Sequence, residues 1–342
     1  GILESTIPPF TPPAWTSIST GVNPGKHGIY DFVRFEGGLR VRILTSRDVM
    51  YPRVHEMAGL KGVRSICVNQ PLTYPPVPVK DTALISDWLS PKMSYYPSWM
   101  SNYAVSYRQH SIMARTIYTD EFLEGLLEEC ASRVDTLCRL AEEVDWQLFW
   151  VVISEPDMLL HRCYRMVLEG EDRVDYILNL IDRFIGVVRE LADSLIIVSD
   201  HGFSRYRRIV NVNSLLYRLG LIVKTREKVP ELTDLRLKAR IRRVRIPAWL
   251  YEVLSRRPIK QTLKLVYKRL TGYELRADPY MYVDTTRSQA FMVSHSSFGL
   301  IIRNPSLTPM LISKLKSTGL FRGVWRREEI YRGPNVSRAP NI

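Results

Sequence analysis

The sequence predicts an α/β protein: a three-layer α/β/α architecture around a mostly parallel central sheet, with an inserted basic, mainly helical cap. Two observations lead there. Short apolar runs rich in Val, Ile and Leu alternate with longer segments at helical spacing, the rhythm of strands joined by covering helices. The positive charge, in turn, is concentrated in one Pro-interrupted stretch instead of being spread over the chain.

Taken in order, strands are predicted at 65–69, 83–87, 148–154 and 194–199. Between the second and third, Phe122, Leu126, Leu127, Cys130, Val134, Leu137 and Leu140 recur at three- and four-residue intervals behind Asp120, which predicts an amphipathic helix over 119–143. The pattern repeats over 174–191 with Ile177, Leu180, Ile181, Phe184, Ile185 and Val188. That helix runs into the 194–199 strand and completes a βαβ crossover. From about residue 215 the chain turns basic and helical, with breaks at Pro230, Pro247 and Pro258. A strand at 298–303 and a helix at 309–317 return it to the core. The expected division is a catalytic core over 1–214, a cap over 215–279 and a return to the core over 280–342.

With 342 residues, 45% hydrophobic and 24% charged, the chain can bury a substantial core as one large or two medium domains. No apolar run approaches the roughly 18 residues a membrane span needs, and Gly1 is not followed by a basic-then-apolar leader, so neither a transmembrane helix nor a signal peptide is expected. Cys67, Cys130, Cys138 and Cys163 show no CxxC pair. That suits reduced thiols in a cytoplasmic protein.

Of the formal +13, a net +11 lies between Arg236 and Arg269, where 12 Lys or Arg meet the single acid Glu252. Such a run is either a solvated helical face or an anion-binding surface for nucleic acid, anionic lipid or acidic substrate. Trp249, Leu250 and Leu254 beside Arg242, Arg243 and Arg245 suit docking at an anionic membrane. The sequence leaves the oligomeric state open.

The segment Thr11-Pro-Pro-Ala-Trp-Thr-Ser-Ile-Ser-Thr-Gly21 has the marks of a short helix, with Thr11 as N-cap, prolines in the first turn and Gly21 as its stop. A hydroxyl at a helix N-terminus is either a plain cap or a nucleophile favoured by exposed N–H groups and the positive dipole end. Asp157-x-x-x-His161 follows the 148–154 strand and Asp200-His201-Gly202 follows the 194–199 strand. Ends of strands are where open α/β sheets build their sites, and a carboxylate–imidazole mixture suits zinc or another divalent transition metal. Three such elements together point to a reacting centre.

The stretch from Ser5 to Phe32, including Thr11-Pro-Pro-Ala-Trp-Thr and Asn23-Pro-Gly-Lys-His-Gly28, resembles the nucleophile region of archaeal type I phosphodiesterases. Pro71-Leu-Thr-Tyr-Pro-Pro76, Asp157 with His161, Asp200-His201-Gly-Phe203 and Glu328-Glu-Ile-Tyr-Arg-Gly-Pro334 match further blocks in the expected order. The chain is thus similar, over nearly its whole length, to the type I phosphodiesterase/nucleotide pyrophosphatase family of the alkaline phosphatase superfamily. The resemblance implies two divalent ions, zinc or manganese. It implies that Thr11 attacks phosphorus to form a phospho-threonine, that Asp200, His201 and Thr11 hold the ion activating the nucleophile, and that Asp157 and His161 hold the ion activating water. Such ions would make a weakly acidic threonine hydroxyl reactive. The substrate would be a phosphate ester: a nucleotide, a nucleotide sugar or a lipid-linked head group.

The family's sites use two further ligands, an Asp before the nucleophile helix and a His after the last matched block, and neither is present, so the chain is expected to be a fragment lacking both ends. His295 is read as an ordinary histidine. Where nucleotide pyrophosphatases carry an Asn on the phosphoryl oxygen, the aligned residue is Phe32; Asn23, Lys26 or Asp31 could contribute instead, although Asn23 and Lys26 also suit a turn. Another superfamily activity (phosphomonoesterase, phosphonate hydrolase, sulfatase or phosphotransferase) or a non-catalytic anion-binding descendant are the alternatives.

Overall fold

The computed structural model describes residues 1–37, 41–109, 119–206, 210–225, 283–293 and 298–342. Their helices are α1 (Thr11–Thr20), α2 (Pro24–His27), α3 (Val54–Leu60), α4 (Ser101–Ala104), α5 (Thr119–Glu143), α6 (Glu155–Glu169), α7 (Asp172–Leu191), α8 (Val212–Arg218), α9 (Thr308–Ser317) and α10 (Arg327–Ile330). Their strands are β1 (Val33–Phe35), β2 (Val41–Ile43), β3 (Ser65–Val68), β4 (Thr82–Ile85), β5 (Tyr95–Tyr96), β6 (Leu148–Val151), β7 (Ala290–Phe291) and β8 (Ile301–Ile302). The chain divides into one unit of Gly1–Arg34, Arg42–Ile209 and Ser296–Ile342, and a second of Phe35–Val41 and Val210–His295.

The first unit is built on a four-stranded sheet in the order β5-β4-β3-β6. β3 runs parallel to both β4 and β6, with Ser65 opposite Thr82 and Leu148 and Val68 opposite Ile85 and Val151; only β5 is antiparallel. A mostly parallel sheet flanked by helices is the predicted class. Side chains alternate between its faces. Ile66, Val68, Ala83 and Ile85 join Phe122, Leu126 and Cys130 of α5, Leu159 of α6, and Ile177 and Phe184 of α7 in one core. Fully buried Phe122, Leu123, Leu126 and Leu140 are each worth roughly 1.5–3 kcal/mol. Thr82 and Leu84 point the other way, where α3 lies: Thr82 Oγ1 donates to the His55 carbonyl at 3.2 Å.

The α5 span agrees with the predicted helix to the residue, and α7 begins two residues early. The 194–199 segment differs. It forms no strand, and Ile196 and Ile197 are 87% and 70% exposed. Its β-branched residues favour a strand, but a strand exists only through a paired neighbour, and no described residue pairs with this run. The βαβ crossover expected there is not formed. The strand expected at 298–303 shortens to β8, while the helix expected at 309–317 is α9. The four cysteines are unpaired and buried. No helix among the described residues is long and apolar enough to cross a membrane.

Two glycines decide how α2 meets the segment after α10. The Asn335 amide donates to the Gly25 carbonyl at 2.9 Å, Asn335 Nδ2 to the Lys26 carbonyl at 2.7 Å, and Tyr331 Oη to the Ile7 carbonyl at 2.7 Å. The backbones approach so closely that a Cβ on Gly25 would lie 2.6 Å from the Arg332 carbonyl oxygen, and one on Gly333 (φ +134°) 2.5 Å from that of Gly25.

In the second unit, Asn213 of α8 exchanges two hydrogen bonds with Met292, at 3.0 and 2.8 Å, and Phe35 meets Phe291 edge-on at 5.3 Å. Residues 226–282 lie outside the described residues. With them go most of the expected 215–279 cap, including Arg242, Arg243, Arg245, Trp249, Leu250 and Leu254; His295 falls in a second such segment, 294–297.

Gly25→Ala should destabilise the protein by ~2 kcal/mol or more, because backbone and not a flexible side chain obstructs the new methyl. Gly186→Ala in α7, whose added methyl meets nothing within 4 Å, should be neutral or stabilising by up to ~1 kcal/mol. Urea denaturation of both variants checks the contrast.

Candidate active site

Thr11 is the first residue of α1, not its cap. The cap position is Phe10 in extended conformation, with no side-chain hydrogen bond. The physical reason lies in the next two residues. Prolines 12 and 13 suit the first helical turn but bring no N–H groups for a threonine cap to satisfy, and the next amide, Ala14, already donates to the Phe10 carbonyl at 3.0 Å. The same fact corrects a second expectation. The helix end does not offer an anion several N–H groups; the Thr11 amide is what the first turn retains. Freed from capping, the Thr11 hydroxyl lies 3.2 Å from His201 Nε2.

Asp157 and His161 come from α6. Their i, i+4 spacing places them on one helix face, with Asp157 Oδ1 and His161 Nε2 3.6 Å apart. The start of α6 is held from both sides. Asn69, in the left-handed region at φ 62°, donates from Nδ2 to the Val152 carbonyl at 2.8 Å and to Ser154 Oγ at 2.9 Å. Glu155 is paired with buried Arg133 of α5, which also holds Glu129 at 3.0 Å. Gln70 ties α1 to β6: its Oε1 accepts from the Trp150 indole at 2.7 Å and its Nε2 donates to the Trp15 carbonyl at 3.4 Å.

Asp200 and His201 arrive on the loop after 194–199, anchored by a hydrogen bond from Ser5 Oγ to the Asp200 carbonyl. His201 Nδ1 lies 3.2 Å from the Gly202 carbonyl. A carbonyl can only accept, so Nδ1 carries the proton and the Nε2 lone pair faces the centre. That lone pair is 3.4 Å from Asp200 Oδ2 and 3.8 Å from Asp157 Oδ1. Phe203 closes the wall, its ring 4.8 Å from that of His161 and 5.5 Å from that of His201.

All five residues singled out in the sequence, Thr11, Asp157, His161, Asp200 and His201, therefore meet. Among the described residues no three His, Cys, Asp or Glu side chains close into a finished metal cage. What is present is a donor set. Asp200 Oδ2 is buried without a hydrogen-bond partner, and the Asp200 carboxyl is pushed up to about 6 by burial, with the charge of Asp157 adding to the rise. Carboxylates and a ring lone pair facing one another are unfavourable neighbours in each other's company alone, and a divalent cation is the group such nitrogen and oxygen donors accommodate.

The residues considered for substrate lie at the α2 corner. Asn23 Oδ1 accepts from the amides of Gly25 at 2.9 Å and Arg332 at 3.2 Å, the work of a turn residue. Lys26 is exposed, and Asp31 Oδ1 accepts from the Phe32 amide at 2.6 Å. Phe32 itself packs edge-on against Phe10 at 5.3 Å. Sequence reasoning passed over Arg133, Asn69, Gln70 and Phe203 as site residues. Only Phe203 carried a signal, its place two residues after His201; the others act across the fold.

Nearby, Ser17 Oγ and His27 Nε2 are 2.9 Å apart and look like a nucleophile and its base. They are not, because His27 Nδ1 accepts from the Ile29 amide at 3.2 Å. The ring proton is thus on Nε2 and is donated to Ser17. Burial, reinforced by Arg53, holds His27 neutral, its pKa lowered to about 3.

A family model, type I phosphodiesterase/nucleotide pyrophosphatase, matches residues 2–276, a span that contains all five converging residues. No curated protein matches the chain.

Arg133→Met should cost ~3–5 kcal/mol, since it strands two buried carboxylates, and Glu129→Gln with Glu155→Gln in the same chain should recover part of that; urea titrations measure both. Two buried histidines should lower stability on acidification from pH 6.5 to 5. His27 and His55, the latter also lowered to about 3 by burial and Arg53, stay neutral when folded but gain protons near 6.5 when unfolded. Each then removes up to ~1.4 kcal/mol per pH unit. Asp200 and fully buried Asp87, both raised by burial and so protonating more readily when folded, oppose them. The test is the slope of denaturation midpoint against pH between 5 and 6.5, which His27→Gln should make less positive than in the wild type.

Proposed function

This chain belongs to the type I phosphodiesterase/nucleotide pyrophosphatase family of the alkaline phosphatase superfamily, and on that premise we propose that it hydrolyses phosphodiester or pyrophosphate bonds through attack by Thr11. The family is one of hydrolases and is generally divalent-metal dependent. The observation that carries the reading is the 3.2 Å approach of Thr11 Oγ1 to His201 Nε2, inside a ring of two carboxylates and two imidazoles drawn from three separate stretches of chain.

Asp200, His201 and Thr11 would hold one divalent ion, and Asp157 with His161 another. Bound there, zinc or manganese would neutralise the substrate's charge and acidify the attacking hydroxyl and the later water. The chain's own residues do the rest. The Nδ1–H contact with Gly202 orients the His201 ring, so that its Nε2 faces the hydroxyl whose oxygen attacks. Thr11 Oγ1 bonds to phosphorus as the bond to the leaving oxygen breaks, leaving a phospho-threonine. Water then cleaves that ester and restores the hydroxyl. Phe203 packs its ring against both imidazoles and so limits their rotation. The N-terminal dipole of α1 and the Thr11 amide favour the developing negative charge, with a smaller donor set than a proline-free helix would offer.

The substrate of this reading is a nucleotide, a nucleotide sugar or a lipid-linked head group. A basic cap over 215–279, between core segments 1–214 and 280–342, would attract such anions or an anionic membrane or nucleic acid, and the four buried thiols support a cytoplasmic setting. Asn23, Lys26 and Asp31 keep a place as substrate contacts from the α2 corner.

With zinc or manganese supplied, the protein should cleave bis-p-nitrophenyl phosphate faster than p-nitrophenyl phosphate. Thr11→Ala should lower kcat/KM by about three orders of magnitude or more, whereas Thr11→Ser should keep measurable turnover. Chelation should abolish activity and re-addition of metal restore it. Faster monoester cleavage would move the assignment to a phosphomonoesterase of the same superfamily, and full activity in Thr11→Ala would remove the nucleophile.

A further inference from the structure

The chain leaves β3 through a residue with left-handed backbone. Asn69 has φ 62°, is 2% exposed and donates its own amide to the Ile85 carbonyl of β4 at 3.0 Å. A residue other than glycine is uncommon in this region, and asparagine tolerates it better than most. The turn falls where the parallel ladder between β3 and β6 would otherwise continue. The Val152 amide donates to the Val68 carbonyl at 3.1 Å, so the next bond of the series would run from the Gln70 amide to the Val152 carbonyl. Asn69 ends the strand there and its side chain supplies the donor instead, with Nδ2 2.8 Å from the Val152 carbonyl.

Nδ2 makes a second bond, to Ser154 Oγ at 2.9 Å. Ser154 occupies the cap position of α6, where a serine hydroxyl ordinarily accepts from the amides of the first turn. Here it makes no such bond and accepts from Asn69 instead. The entry of α6 is therefore fixed by a side chain from the end of another strand and not by its own cap. Asp157 is the third residue of that helix, and His161 lies one turn further on. The residue type at position 69 is closely specified: glycine and aspartate adopt the left-handed backbone but bring no N–H donors, whereas glutamine carries the donors on a longer arm and is less suited to positive φ. An unfavourable backbone conformation and a diverted helix cap thus meet at one corner, three residues before a carboxylate of the site. Local strain of this kind gathers where the geometry of a reacting centre is held.

We propose that Asn69 is a positioning residue for one half of the donor set, Asp157 with His161, and that it sets the affinity of this half for its divalent ion while leaving the half made by Thr11, Asp200 and His201 unaffected. The inference rests on the two-ion reading above and deepens it. The action of Asn69 passes through Val152 and Ser154 into the first turn of α6. The other half has a support of its own, the bond from Ser5 Oγ to the Asp200 carbonyl, so the two halves can be perturbed one at a time. Partners that orient ligands in this indirect way commonly change metal affinity by about 10–100-fold when lost.

Calorimetric titration of zinc into metal-free wild type, Asn69→Gly and Ser154→Ala is the test, with His161→Ala marking which binding step belongs to the Asp157–His161 half. Asn69→Gly should weaken that step by about tenfold and leave the other unchanged. Ser154→Ala, which cuts the same link from its other end, should weaken it about threefold and carries the comparison if Asn69→Gly does not fold. Equal weakening of both steps, or no change in either, would overturn the positioning role while leaving the two-ion reading intact. Should wild type show no zinc-binding step that His161→Ala removes, it is the two-ion reading that fails. Hydrogen exchange of the metal-free proteins then decides the positioning role alone. Exchange about tenfold faster at amides 157–161 in the variant, with the amides of α5 unchanged, supports it; equal exchange at 157–161, or an equal rise throughout α5, refutes it.

Discussion

The approach of Thr11 Oγ1 to His201 Nε2 joins residues 190 positions apart, and much of the site's geometry follows from keeping it. Thr11 sits at the tip of α1, which is fixed from below by Gln70 bridging the Trp15 carbonyl and the Trp150 indole. His201 sits on a loop tethered to the N-terminal segment through Ser5 and the Asp200 carbonyl. From that loop Phe203 reaches the His161 ring, and His161 brings α6 with it. The α6 N-terminus is then secured by Asn69 and by the buried Arg133–Glu155 pair. Hydrogen bonds and packing thus run from one side of the reacting centre to the other without a gap.

The electrostatics of the centre differ from those of an anion-binding helix end. Prolines 12 and 13 preorganise the first turn of α1 but remove two of the N–H groups that would face a phosphate. The walls contribute two carboxylates, one of them buried enough to hold its proton to about pH 6. A phosphate approaching such walls meets like charge, which is why the donor set makes chemical sense with cations between ligand and protein. The Ser17–His27 pair shows how geometry alone can mislead, since the direction of one backbone N–H decides which ring nitrogen carries the proton.

Much of this was legible in one dimension because it depends on local rules. The three- and four-residue spacing of Phe122, Leu126, Cys130 and Val134 marks α5 whatever surrounds it, and the same holds for α7. Buried strands such as Ser65–Val68 announce themselves as apolar runs. The Asp157–His161 spacing is one helical turn, so once α6 forms both side chains share a face. Thr11, with its prolines behind it and Gly21 ending the helix at φ 70°, needed only local reasoning to be placed at a helix start. The run at 194–199 was misread for a non-local reason: strand propensity is a property of the residues, whereas a strand is a property of a pair.

Readable from the chain alone are the α/β class, the helices and strands whose periodicity is internal, and the five residue types from which the site is built. The tertiary structure decided what those residues do to one another. It placed Phe10 and not Thr11 at the cap, turned the Nε2 lone pair of His201 toward the threonine by way of the Gly202 carbonyl, and recruited Arg133, Asn69, Gln70 and Phe203. It also assigned Asn23 to capping its own corner. The physical reason is range. Propensity and periodicity are set by neighbours a few residues away, while burial, protonation and hydrogen-bond direction are set by groups that only folding brings into contact.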